Sequence, residues 1–88
     1  MRTTLATGQV AEIEDDGNVL RVSETNGDEL FTVHPPEHSK FYQFIEHVVE
    51  GECPVVSFEP GHEVNGWMDW YYKVNITTHQ IEKLNPWR

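Results

Sequence analysis

The sequence is poor in cysteine and contains no long apolar run. Cys53 is the single cysteine among 88 residues, which excludes an internal disulfide framework and indicates a reducing compartment. No segment approaches the ~20 apolar residues of a membrane-spanning helix, and the first residues lack the core of a signal peptide. We therefore expect a cytoplasmic protein with no membrane partner.

Basic residues are also scarce. Six lysines and arginines stand against fifteen aspartates and glutamates, which gives a net charge of −9. A field of this sign repels the phosphate backbone of nucleic acids. Residues 12–29 concentrate the excess, because they carry seven carboxylates and one basic residue, Arg21. We expect an acidic surface on the first strands, suited to a basic partner.

Motifs for catalysis and for metal binding are lacking. His34 and His38 are four residues apart, but two prolines lie between them, and Cys53 and His62 add no dense ligand spacing. The sequence has no phosphate-binding glycine loop and no nucleophile motif. We therefore predict a protein that is not an enzyme and has neither a cofactor nor a metal site. Cys53 precedes an apolar strand, so we expect a buried and unreactive thiol.

The first third of the chain reads as three strands. Residues 5–14 are strand-like and end at turn residues 15–18. Two apolar runs, 19–23 and 30–33, flank Asn26-Gly27, a dipeptide that favours a type I′ hairpin turn. We predict a meander of three strands that is complete by about His34.

A helix is predicted next, over about residues 37–50. Pro35-Pro36 ends the sheet and suits a helix start, and Gly51 suits its end. The apolar stripe has the spacing i, i+3, i+4, i+7 and consists of Phe41, Phe44, Ile45 and Val48.

Two further strands complete the predicted fold. They cover about residues 54–58 and 67–77, and Trp70 and Tyr72 should face inward in the second of them. The tail, about residues 79–88, could extend that strand or form a short helical turn. We predict one domain over residues 1–88, mostly β, with a five-stranded Greek-key barrel of the oligonucleotide-binding (OB-fold-like) class and a helix between strands 3 and 4. An SH3-like barrel or an open α+β sheet is the alternative.

Several short motifs resemble those of the cold-shock domain over roughly residues 8–77. Gly8 and Val10 match its first strand and Gly17 its second. Phe31 or His34 matches the third, and residues 56–59, Val-Ser-Phe-Glu, match the fourth. The resemblance implies a barrel that binds single-stranded nucleic acid on a platform of stacking rings.

The nucleic-acid-binding motifs of that family are degenerate here. Glu12 stands where the family has tryptophan, and Asp16 stands where it has lysine. The outward phenylalanines of the second strand are replaced by residues drawn from 18–20. A relocated set of rings near Trp67 and Tyr71, with Lys73 beside them, is one interpretation. Burial of these rings in the core and rim of the barrel is the other.

Two functions follow from this interpretation. The first is a non-catalytic acidic module that binds a protein partner with a basic surface, in a special case as a mimic in that partner's nucleic-acid site. The alternative is a weak binder of single-stranded DNA or RNA through aromatic stacking. The candidate binding residues for the two functions together are Glu12, Glu14, Asp15, Asp16, Phe31, Trp67, Tyr71 and Lys73.

Overall fold

The computed structural model describes residues 1–87, which form eight strands in two antiparallel sheets of four. The N-terminal sheet contains β1 (Arg2–Thr4), β2 (Val10–Glu14), β3 (Val19–Ser23) and β4 (Glu29–Val33). The C-terminal sheet contains β5 (Ser39–His47), β6 (Gly51–Phe58), β7 (Asp69–Asn75) and β8 (Gln80–Pro86). Each sheet is a meander, with its strands in chain order. A 3₁₀ turn, Asp15–Gly17, joins β2 to β3.

The predicted five-stranded Greek-key barrel with a helix between strands 3 and 4 is wrong. Within residues 1–87, no strand of one sheet pairs with a strand of the other, so the sheets do not close into a barrel. The segment predicted as a helix over 37–50 forms β5 and the turn that follows it. In the part of the chain that the structure describes, no helix is long and apolar enough to cross a membrane.

A bulge in β5 explains the mistaken helix. Phe41 pairs with Val56 and Gln43 pairs with Val55, so Tyr42 is an extra residue in the strand. Residues three apart on either side of such a bulge face the same way, because the extra residue resets the alternation. The apolar spacing of Phe41 and Phe44 thus imitates a helical period. Val48, the last residue of the predicted stripe, is in the turn and is 97% exposed.

The hairpin around Asn26-Gly27 is confirmed, since β3 pairs antiparallel with β4. Its turn differs from the predicted type I′. Gly27 has φ 98° and donates its N–H to the Glu24 carbonyl at 3.0 Å, and the Glu24 N–H bonds the Asp28 carbonyl at 2.8 Å. This is a type I turn closed by a glycine in the left-handed region, which is a common alternative for slightly longer hairpin loops.

The C-terminal tail forms a strand. β8 pairs antiparallel with β7, and Asn75 stands opposite Gln80. The Trp87 N–H also donates to the Asp69 carbonyl at 3.0 Å. Residues 80–86 therefore add an edge strand to the C-terminal sheet.

The core lies between the inward faces of the two sheets. Leu20 and Val22 alternate with outward residues along β3 and are fully buried. Trp70 and Tyr72 are buried on the inward face of β7, as predicted. The buried cluster consists of Leu5, Ala11, Leu20, Val22, Phe31, Phe41, Val56, Phe58, Trp70 and Tyr72. Burial of this apolar surface is the main force that holds the sheets together.

Gly17 is the point where the turn after β2 rests on β5. A Cβ atom there would lie 2.5 Å from the Phe41 carbonyl oxygen and 3.1 Å from the Lys40 Cβ. Its φ of 89° is also one that only glycine adopts freely. Glycine is therefore required at this position on both steric and conformational grounds.

We expect Gly17→Ala to destabilise the fold more than Gly27→Ala. Both glycines have positive φ, but a Cβ at Gly27 would meet no atom within 4 Å. The control should cost only the left-handed penalty of about 1 kcal/mol, and Gly17→Ala about twice that or more, because backbone must also move. Urea unfolding of the two variants measures the difference. Equal losses would show that Gly17 does not fix the contact with β5.

Candidate functional site

An open cleft lies where the 3₁₀ turn meets the start of β5 and the end of β6. Its volume is about 740 Å³, within the range of binding sites in proteins. Phe41 and Phe58 form part of its lining and are buried. Tyr42 and Met68 also line it and are 54% and 40% exposed. The cleft therefore combines an apolar floor with apolar side chains that reach solvent.

The lining of this cleft is acidic. It includes four carboxylate residues and one lysine: Glu14, Asp15, Asp16, Glu59 and Lys40. Asp15 and Asp16 are exposed. Within residues 1–87, neither of their carboxylates has a hydrogen bond or an ion pair. Their negative charge is therefore available to a ligand at the edge of the cleft.

Arg21 pairs with two of the seven carboxylates on the acidic face predicted on the first strands, Glu14 and Glu29. Its guanidinium bonds both carboxylate oxygens of Glu14, at 2.8 to 3.1 Å, and also bonds Glu29. The hydrogen bonds from Arg21 hold the pKa of Glu14 below its usual value. Glu12 stands across from Arg2 on one side and Arg21 on the other. Asp15 and Asp16 are among the carboxylates of this region that have no ion pair in the described part of the chain.

The predicted stacking residues do not form one platform. The Phe31 ring is 8% exposed and stacks on His79 with 4.4 Å between ring centroids. On the outer side of β7, Tyr71 contacts His47 edge-on at 4.9 Å, and the Lys73 ammonium is 3.3 Å from Glu50.

Trp67 is the candidate ring next in sequence to the cleft. It is 41% exposed and directly precedes Met68. Its backbone pairs with Val64 in both directions, and its carbonyl accepts the indole N–H of Trp70 at 3.1 Å. The structure thus brings Glu14, Asp15 and Asp16 to the cleft, and holds Trp67 in a defined turn next to a cleft residue.

The sequence did not identify several cleft residues that lie outside the acidic turn, among them Lys40, Tyr42 and Met68. Lys40 and Tyr42 fall in the segment predicted as a helix, and Met68 falls in the predicted last strand. A signal was present in the residue types of this segment. The aromatic content around Phe41 favours a strand.

The histidines considered as ligands contact other groups. His38 and His62 stack with 3.8 Å between ring centroids. His34 places Nδ1 3.1 Å from the Asn18 carbonyl. Among residues 1–87, no group of three or more His, Cys, Asp or Glu side chains has the arrangement of a metal site.

Comparison with family models, with curated proteins and with solved structures gave no match. No family is therefore identified, neither the cold-shock domain nor another OB-fold family. The function proposed below consequently depends on the geometry of the cleft.

Cys53 is 2% exposed, as its position before an apolar strand predicted. Burial, with a smaller contribution from the carboxylates of Glu50 and Glu52, raises the pKa of Cys53 to about 11. The thiol therefore stays protonated at neutral pH, and the thiolate is the nucleophilic form.

We expect Cys53 to resist alkylation in the folded protein. At about pH 8 only on the order of a thousandth of the thiol should be ionised, so iodoacetamide should react at least about a hundredfold more slowly than after unfolding in urea. Mass spectrometry of timed samples measures the two rates. Comparable rates with and without urea would contradict the buried, protonated thiol.

Proposed function

We propose that this chain is a non-catalytic acidic interaction module that binds a protein partner with a basic surface. One observation carries the proposal. The exposed carboxylates of Asp15 and Asp16 lie on the same cleft as the exposed side chains of Tyr42 and Met68. Protein interfaces commonly combine an apolar, often aromatic, centre with a polar rim. The cleft has both parts within one concave surface.

The two parts would contribute differently to binding. Apolar contact with Tyr42 and Met68 would supply affinity, since aromatic and methionine side chains are enriched at interfaces. The carboxylates of Asp15 and Asp16 would steer a cationic partner and select against acidic ones. A lysine or arginine suits this surface, because its aliphatic stem can lie on apolar groups while its charge reaches a carboxylate. Trp67, next to Met68 in the chain, would extend the apolar contact.

A nucleic-acid-binding surface is one instance of such a partner, in which case the module would act as a mimic or regulator. The cytoplasm is the proposed compartment. It is supported by the reduced state of Cys53, which has no disulfide partner in the chain.

The cleft should bind a short synthetic peptide in which lysine alternates with leucine. Its affinity should fall about fivefold in the double variant Asp15→Asn, Asp16→Asn, because two rim charges each contribute a fraction of a kcal/mol. Asparagine is chosen because it tolerates the positive φ of both positions. Titration at low and near-physiological salt, followed by tryptophan fluorescence and by amide shifts around Tyr42, gives the affinity and the site.

A matched control removes the same charge elsewhere. Glu46→Gln with Glu82→Gln neutralises two exposed carboxylates that do not line the cleft. This variant should bind the peptide almost as the wild type does. Equal weakening in both double variants would indicate attraction by net charge alone. Absence of binding at low salt would contradict the proposal.

Single-stranded oligonucleotides should not bind this protein. The acidic cleft repels phosphates, Lys73 is engaged with Glu50, and His79 occupies a face of the Phe31 ring. We expect no saturable change in tryptophan fluorescence with DNA or RNA oligomers at any salt concentration. Saturable quenching that weakens with salt would favour the nucleic-acid alternative instead.

A further inference from the structure

The turn between β5 and β6 presents two valines to solvent and is held by a histidine. Val48 and Val49 are 97% and 77% exposed. The N–H groups of Val49 and Glu50 point at Nδ1 of His47, at 3.1 and 3.2 Å. His47 is the last residue of β5, so its side chain accepts hydrogen bonds from the backbone of the turn that directly follows it.

The hydrogen-bond partners of His47 determine its tautomer. The side-chain amide nitrogen of Asn85 donates to the Pro86 carbonyl at 3.3 Å, which orients the amide. Its oxygen then faces Nε2 of His47 at 2.8 Å. An amide oxygen can only accept, so Nε2 must carry the proton. Nδ1 is therefore unprotonated and can accept the two backbone N–H groups, which only the neutral ring allows.

Other ionisable groups lie on the elements around the turn. Three glutamates lie on the turn and on the two strands that it joins: Glu46, Glu50 and Glu52. Glu50 is also paired with Lys73, and the Glu52 carboxylate accepts the Thr3 hydroxyl. From β7 the ring of Tyr71 contacts the imidazole edge-on, and on β8 the Glu82 carboxylate accepts from the Asn75 side chain. The two backbone N–H groups at Nδ1 require a neutral imidazole, because a protonated Nδ1 cannot accept them.

We propose that His47 is a pH-dependent stabiliser of the β5–β6 turn. The neutral ring fixes the turn, and a proton added at Nδ1 releases it. After protonation Nδ1 carries a hydrogen that faces the N–H groups of Val49 and Glu50, so both lose their acceptor. The bond from Nε2 to Asn85 survives, because Nε2 donates in both states. Acidification thus changes the order of the turn that carries Val48 and Val49 and leaves the contact with β8 in place.

Nuclear magnetic resonance of the intact chain tests this device. At about pH 8 the ring should show the tautomer protonated at Nε2, and lowering the pH to about 5 should protonate Nδ1. Hydrogen-exchange protection of the Val49 and Glu50 amides, corrected for the intrinsic pH dependence, should fall about tenfold with the midpoint of the ring titration. The Gly27 amide, bonded in another turn, and the Val56 amide in the core should not follow.

Two variants distinguish the effect of His47 protonation on the turn from a general effect of acid. Asn85→Asp places a carboxylate at Nε2 and favours the charged ring, so both midpoints should move together to higher pH. His34→Gln removes a histidine outside this turn and should change neither. A ring protonated at Nδ1 at high pH, unchanged protection while the ring titrates, or midpoints that separate in Asn85→Asp would each overturn the proposal.

Discussion

The close approach of Gly17 to the Phe41 carbonyl determines how the two sheets meet. A side chain at residue 17 would separate the 3₁₀ turn from β5. The contact places Asp15 and Asp16, both in the left-handed region, beside the cleft and beyond the end of β2. The shape of the cleft and the position of its charges therefore depend on one residue without a side chain.

The local patterns of the sequence predicted some strands and misassigned others. The alternation of Leu20 and Val22, with the turn residues after Ser23, was enough for the β3–β4 hairpin. The residues of β5 were assigned to a helix because the bulge at Tyr42 gives a strand an apolar spacing of three. The strand formed by the tail could not be decided, because a bulge opposite Tyr71 breaks the alternation of its apolar residues. The order of the predicted elements along the chain then suggested a closed barrel. In the described residues the strands instead pair in two separate sheets.

The candidate site shows the same division between local and non-local information. The exposed turn at Asp15 and Asp16 was visible in the sequence. The balance of Glu14 and Glu29 by Arg21 was not, because it requires the register of three neighbouring strands. The apolar side of the cleft was also hidden, since Tyr42 and Met68 come from distant segments that meet only in the folded chain. Counting charges along the sequence identified the acidic region. It did not show which carboxylates of that region are paired with Arg21.

The bulge in β5 has a counterpart at the other sheet edges. In β4 the residue Leu30 is skipped in the pairing with β3, and β8 has two residues, Leu84 and Asn85, opposite the single residue Tyr71 of β7. The remaining edge in the described part of the chain, β1, has three residues. A second chain that adds as a strand needs a long, regular row of free N–H and C=O groups. These edges do not offer one, so their geometry disfavours the addition of a second chain as a further strand.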